Sequence, residues 1–412
     1  MSSLPAAAPD TTLAGAPASA DAERALRPGR RGLLGRGMRS LRRRLNELHS
    51  AVEERFKVAR PRSWPIFLNL QHTSICNLRC RMCQQAWDDI PQVVMERGLY
   101  RRIRAATFDR VSELSLSVMG DPFCVSRDFI DEILRDVEDY GLRLEITTNA
   151  TRLGDEAQVR RLARLVSHMI FSFDGATKET FESIRIGTSW ERVTGQIEAF
   201  VRATRELAPW RRPLIDVNYV LMRSTLAELP RFVELAESWG VHTVRAFPMT
   251  LAHESMRDEI VDWREETAQA ALAEAMRLSR RGRVRLHLAG EAAAALPADR
   301  SSLGARLAAL PRTLGKILRP IPSQGLNHVF EKTLHHIAVK RRECGYLGGK
   351  VYLLLNGEVS TCCHPDYMVM GRLGGGEGLE ATWRGDDYAS VRAALNSERP
   401  ADPCRDCHLL RR

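Results

Sequence analysis

The sequence predicts an α/β protein built on a parallel sheet, and three observations predict it. Between residues 66 and 249, six short β-rich runs alternate with stretches whose apolar residues recur at helical spacing. Two of those stretches, RDFIDEILRDVEDYG (127–141) and LAELPRFVELAESWG (226–240), close on Gly, the residue that ends helices without strain. With 412 residues, 44 % of them hydrophobic, the chain can also bury a large core. Six βα units in succession place helices outside a parallel sheet, either a curved partial barrel or an open doubly wound sheet.

Taken in order, residues 1–62 hold 13 Lys/Arg against 6 Asp/Glu, so most of the net charge of +10 lies here. The first thirty or so, rich in Ala, Pro, Ser and Arg, offer too few large apolar groups to bury and read as disordered. From Leu33 to Val58 the pattern is helical, with Arg42, Arg43 and Arg44 beside Leu41, Leu45 and Leu48. A basic amphipathic stretch suits an anionic surface or nucleic acid, but charge runs usually face water, so a solvated helix leading into the fold is expected. The remainder is nearly neutral, and no nucleic-acid partner is expected. No apolar run is long enough to span a membrane, and MSSLPAAAPDTTLAGAPASA lacks the pattern of a secretory signal, which together predict a cytoplasmic protein.

The body, residues 63–288, carries the strands IFLNLQHT (66–73), ELSLSVM (113–119), LRLEITTN (142–149), HMIFSFD (168–174), LIDVNYVL (214–221) and TVRAFPM (243–249). Thr73, Asn149 and Asp174 are polar strand ends, which in a barrel line the catalytic face. After VRLHL (284–288), residues 289–340 read as a helical connector placed to cover that face. Residues 341–412 form a small cysteine-rich domain.

Nine cysteines are the unusual feature: Cys76, Cys80 and Cys83, the isolated Cys124, then Cys344, Cys362, Cys363, Cys404 and Cys407. An odd count in a chain read as cytoplasmic points to metal ligation and not to a disulfide framework. Structural zinc takes four ligands, and the C-x3-C-x2-C of residues 76–83 has no neighbour to complete the set. A four-iron cluster on three thiolates leaves one iron open to a small molecule. The later group can supply four thiolates, which suffice for zinc or for a closed iron–sulfur cluster. Cys124 reads as a small buried hydrophobe.

Residues 63–250 resemble the radical SAM enzymes. The resemblance is carried by CNLRCRMC (76–83), MGDP (119–122), TTNATRL (147–153) and FSFDGATKETFESIR (171–185), in order and at barrel spacing. It implies a partial (β/α)6 barrel. It further implies that Cys76, Cys80 and Cys83 ligate a [4Fe-4S] cluster whose open iron chelates S-adenosylmethionine, and that a radical abstracts a substrate hydrogen atom. Gly120, Asp121 and Pro122 stand where the family's Gly-Glu-Pro loop offers backbone groups to the methionine amine. Ser172 and Arg185 would meet its carboxylate or ribose.

The C-terminal residues from Cys344, with Gly357 and Cys362 and then the closing C-x2-C of Cys404 and Cys407, resemble the SPASM or shorter twitch domain. That resemblance implies one auxiliary [4Fe-4S] cluster on Cys344, Cys362, Cys404 and Cys407. Adjacent residues of an extended segment point oppositely, which leaves Cys363 off the cluster. In the sulfatase maturases the residue at this point is a catalytic acid. Here a thiol stands there, and Cys363 is the candidate catalytic hydrogen-atom donor. The reading is dehydrogenation or epimerisation of a sugar-like or other small substrate, with a low-potential electron donor such as flavodoxin or ferredoxin. The alternatives are a peptide-modifying maturase and, from another class, a zinc-stabilised nucleic-acid- or partner-binding protein.

Overall fold

The computed structural model describes residues 33–296, 344–362, 368–373, 378–395 and 404. Its centre is a ten-stranded sheet. The strands are β1 (Phe67–Leu70), β3 (Glu113–Leu116), β4 (Arg143–Thr148), β5 (His168–Ser172), β7 (Leu214–Leu221), β8 (Thr243–Pro248), β9 (Arg285–Leu288), β10 (Lys350–Leu353), β11 (Glu358–Ser360) and β12 (Val369–Arg372). A two-residue pair, β2 (Arg79–Cys80) and β6 (Arg185–Ile186), stands apart from it. The helices are α1 (Leu33–Arg55), α2 (Arg97–Thr107), α3 (Arg127–Tyr140), α4 (Glu156–Leu165), α5 (Lys178–Ile184), α6 (Trp190–Arg205), α7 (Leu229–Trp239), α8 (Glu266–Arg281), α9 (Gly345–Gly349), α10 (Leu379–Arg384) and α11 (Asp386–Leu395), with short turns at Arg223–Leu226 and Gly290–Ala294.

All six expected βα strands are present, and neighbours pair in parallel in the order β1-β3-β4-β5-β7-β8. The sheet extends further than six strands at both edges. VRLHL forms β9, parallel to β8, and the C-terminal β10 lies parallel to β1 on the opposite edge, followed by the antiparallel β11 and β12. The cysteine-rich region is therefore continuous with the barrel sheet. The joint is apolar as well as hydrogen-bonded, since Trp383 is fully buried and donates its indole N–H to the Ser63 carbonyl at 3.1 Å.

Alternation decides what each strand presents. Leu68, Leu114, Leu144, Ile146, Met169, Phe171, Val217, Tyr219 and Val244 join helix residues such as Ile133, Leu162, Ile197 and Phe232 in one core cluster. Their alternate neighbours, Asn69, Ser115, Glu145, His168, Ser172, Asp216, Asn218 and Arg245, point by the period of two to the opposite, lumen side.

Helix α1 does more than lead into the fold. Arg43, expected among solvated charges, is 7 % exposed. Its guanidinium donates to the carbonyls of Phe108 at 2.5 Å, Tyr140 at 3.0 Å and Gly141 at 3.1 Å, and so caps the C-terminal ends of α2 and α3 together. Burial, with Arg39 beside it, lowers this guanidinium to about 10. Arg43→Ala leaves buried carbonyls without a donor and is expected to cost roughly 2–4 kcal/mol, read as a fall in denaturation midpoint at unchanged slope.

Candidate functional site

The segment after β1 carries Cys76, Cys80 and Cys83, and it is fixed on several sides. β2 pairs antiparallel with β6, so Cys80 lies opposite Arg185, and the Arg81 N–H donates to the Ile184 carbonyl at 3.0 Å. Gln85 donates to the Ser74 carbonyl at 2.7 Å, and Trp87 donates to the Arg81 carbonyl at 2.6 Å while stacking on His253 with ring centroids 4.4 Å apart. The loop after β8 thereby covers the outer side of the cysteine segment.

Two of the three thiols have cationic or amide donors beside them. Asn149 Nδ2 lies 3.7 Å from Cys76 Sγ, and Arg185 Nη1 lies 3.9 Å from Cys80 Sγ. Arg185 and Asp174 form a buried ion pair at 2.6 Å, which holds the guanidinium against Cys80. Burial pushes Cys80 up to about 12 against the pull of Arg185, and burial also raises Cys76. None of the three is in a disulfide. Thiols that resist ionisation when bare, with donors already aimed at their sulfurs, fit a bound cationic group that displaces their protons. Among the described residues no three His, Cys, Asp or Glu side chains meet as a site for a single metal ion.

The loop after β3 packs directly on this segment. Gly120 has φ +63°, and a Cβ there would meet the Ile75 carbonyl oxygen at 2.8 Å and the Ser74 carbonyl carbon at 2.9 Å. The Asp121 N–H donates to the Ile75 carbonyl at 2.8 Å. The Asp121 carboxylate turns inward and accepts from Phe123 N at 3.0 Å, Thr148 Oγ1 at 2.8 Å and Asn149 N at 2.8 Å. It ties the β3 loop to the end of β4 and is not presented to a ligand. The Pro122 carbonyl accepts from His72 Nε2 at 3.0 Å, and burial lowers His72.

Cys124 is buried and donates to Asn77 Oδ1 at 3.2 Å, an oxygen that also receives Asn149 Nδ2 and Thr151 Oγ1. Burial raises its thiol to about 11. Ser172 ends β5 half-buried on the lumen side, level with Asn218 of β7. Cys362 follows β11, where its carbonyl accepts from Ser360 Oγ at 2.9 Å, and Cys344 borders α9. Cys363 and Cys407 lie outside the described residues.

Sequence reasoning missed one constellation. His168 Nδ1 is 3.0 Å from Glu145, His168 Nε2 is 2.9 Å from Asp216, and Arg245 Nε is 3.0 Å from the same Asp216 oxygen, a chain of alternating charge across β4, β5, β7 and β8. The signal was present in the period of two, which puts 145, 168, 216 and 245 on the face opposite the core. Burial alone would lower His168, but hydrogen bonds to Asp216 and Glu145 outweigh it and hold the ring raised at about 9. Because the folded value exceeds the unfolded one of about 6.5, the stabilisation is complete below about pH 6.5 and lost as pH rises through about 9. The difference in stability between the native chain and His168→Gln is therefore expected to shrink by roughly 3 kcal/mol between about pH 6 and pH 10, measured by chemical denaturation at each pH.

Residues 70–236 match the radical SAM superfamily model, and residues 344–408 match that of SPASM, an iron–sulfur cluster-binding domain. Among curated proteins the chain is 28 % identical over 201 residues to a tungsten-containing aldehyde ferredoxin oxidoreductase cofactor-modifying protein of Pyrococcus furiosus, covering 48 % of this chain and 55 % of that one. It is 27 % identical over 190 residues to an AdoMet-dependent heme synthase of Methanosarcina barkeri, covering 44 % and 50 %. The chain thus spans about half the length of these relatives. Among solved structures it superposes on Streptococcus suis SuiB bound to S-adenosylmethionine with a TM-score of 0.55 at 16 % identity, over 84 % of this chain and 72 % of that one. On anSMEcpe with bound AdoMet the TM-score is 0.57 at 13 % identity, over 84 % of both chains. These likenesses extend to the fold. The SPASM match implies an auxiliary iron–sulfur cluster, and the radical SAM match implies a four-iron cluster with S-adenosylmethionine. The chain carries a radical SAM domain followed by a C-terminal SPASM domain.

Proposed function

We propose that this radical SAM enzyme oxidises or epimerises a small, polar, sugar-like substrate held in the barrel lumen. The observation that carries the reading is the polarity of that lumen. Asn69, Ser115, Glu145, Thr147, His168, Ser172, Asp216, Asn218 and Arg245 all lie on the side away from the apolar core. The Asn69 Nδ2 is buried without a hydrogen-bond partner, and the Arg245 side chain, held at Nε by Asp216, is 39 % exposed. By the same alternation Phe67, Ile170, Val220 and Phe247 share that face, so the lumen offers donors and acceptors to hydroxyl or charged groups beside apolar walls.

In this reading Cys76, Cys80 and Cys83 hold the first cluster, the Gly120–Pro122 backbone receives the methionine amine, and Ser172 and Arg185 border its carboxylate or ribose. Cys344, Cys362, Cys404 and Cys407 hold one auxiliary cluster. When bound, the cluster and S-adenosylmethionine supply reductive cleavage to a radical that takes hydrogen from substrate. The chain's residues position that event. Asp174 fixes Arg185 beside Cys80, the Gly120 turn brings the β3 loop against the cysteine segment, and the His168 chain of charges orients Arg245. Electrons come from a low-potential flavodoxin- or ferredoxin-like donor.

The test is substrate-dependent formation of 5′-deoxyadenosine by the reconstituted enzyme. A low-molecular-weight filtrate of cell extract is expected to stimulate it, and the stimulation should fall at least tenfold in Arg245→Ala. Stimulation by the peptide fraction alone would overturn the substrate class. Cys363 is the hydrogen-atom donor of the epimerising variant of this scheme. With substrate in deuterated water, the native enzyme is then expected to place deuterium at the reacting carbon and Cys363→Ala to lose that label. An equally labelled product from the variant would remove Cys363 from the mechanism.

A further inference from the structure

Helix α1 reverses the usual arrangement of a surface helix. Its polar residues Arg43, Glu47, Ser50 and Glu53 are buried against the protein. Its large apolar residues face out: Met38, Leu41, Leu45, Leu48, Val52 and Phe56 are 71, 59, 59, 51, 54 and 76 % exposed. Their spacings of three and four residues align them in one stripe, roughly 27 Å long at the rise of a helix. An unbroken apolar stripe of this length is what a docking face looks like.

The charges beside the stripe say what it docks on. From Met38 to Val58 every exposed ionisable side chain is basic or His: Arg42, Arg44, His49, Arg55 and Lys57. The acids are turned away, with Glu47 and Glu53 buried and Glu54 half-buried against Gly348. A second copy of the helix would set Arg42 and Arg44 against the same cations. An apolar stripe between arginines fits the boundary of acyl chains and anionic head groups.

We propose that α1 docks the protein on an anionic membrane surface, with the Met38-to-Phe56 stripe at the acyl boundary and the flanking arginines at the head groups. The placement suits the enzyme. Glu47 bonds Arg143 at the first residue of β4, and Arg43 caps α2 and α3, so α1 sits at the end of the barrel away from the cysteine segment. A docked molecule would turn its mouth toward the solvent.

The test is co-sedimentation of the full chain, reconstituted with its clusters, with vesicles of phosphatidylglycerol and phosphatidylcholine and with vesicles of phosphatidylcholine alone. Binding is expected to the first and not the second, and to weaken with added salt. Leu45→Glu/Leu48→Glu and, separately, Arg42→Glu/Arg44→Glu are each expected to lower the partition coefficient roughly tenfold or more. Both pairs are exposed, so iron content and melting temperature should stay at native values. Absence of vesicle binding, or binding that survives both variants, would overturn the proposal. So would a dimer that Leu45→Glu/Leu48→Glu dissociates, which would give the stripe to a second copy. Saturable binding of an acidic amphipathic peptide by a protein that ignores vesicles would give it to a protein partner.

Discussion

Replacing Cys76, Cys80 and Cys83 together by Ala is expected to lower the iron bound after anaerobic reconstitution from about eight atoms per chain to about four, and to abolish cleavage of S-adenosylmethionine. Two four-iron clusters on separate sets of thiolates account for both figures. The iron left behind belongs to the C-terminal domain, whose β10 pairs with β1 but shares none of the hydrogen bonds that anchor the three cysteines. Within the first set, Cys80 is the buried member, opposite Arg185. Its loss also strands the Arg185–Asp174 pair, so Cys80→Ala alone should lower the melting temperature more than Cys83→Ala, whose side chain is exposed. Retention of all the iron in the triple variant would refute the ligand assignment.

Gly120→Val is expected to remove measurable cofactor binding and to cost roughly 2–4 kcal/mol of stability. A β-branched residue is strained at positive φ, and its Cβ would enter the backbone of residues 74 and 75. The displaced backbone is the one that leads into Cys76. Asp121→Asn separates the two parts of the same loop. On sequence grounds this carboxylate is a shortened version of a ligand-loop Glu, so that an amide there should change little. The structure gives it three buried donors instead, and an amide must turn its NH2 toward at least one of them. A loss of roughly 1–3 kcal/mol is expected in stability. Cofactor affinity, measured on the folded fraction by isothermal titration, should stay within a few-fold of native. Loss of affinity in Asp121→Asn with retention in Gly120→Val would mean that the carboxylate makes the contact.

The barrel strands were legible because each alternates or runs apolar between turn residues, and because the helices between them carry a clean apolar face. The cysteine segment was legible from its own spacing and companions. What escaped has a common cause. Glu145, His168 and Asp216 sit in strands whose polar positions look the same whether they face water or a lumen, and only the pairing of β4, β5 and β7 shows that they meet. Arg43 stood in a run of three arginines, indistinguishable from its neighbours until α2 and α3 both end beneath it. The stripe of α1 carries a helical period that normally marks the inward face, and here the inward face is the polar one. The docking of β10 against β1 is a pairing across most of the chain, which local pattern cannot carry.

That pairing sets an order of assembly. β1 has β3 on one side and β10 on the other, with Phe67 opposite Lys350, the Ile66 N–H on the Gly349 carbonyl and the Gln71 N–H on the Leu353 carbonyl. A ribosome making about 5–20 residues per second needs roughly 15–60 s to travel from one strand to the other. Throughout that interval the strand leading into the cysteine segment has an open edge, the feature by which nascent chains pair wrongly with one another. A chain cut short before Lys350 would keep that edge permanently, so the C-terminal domain also serves the first domain as its closing strand during synthesis.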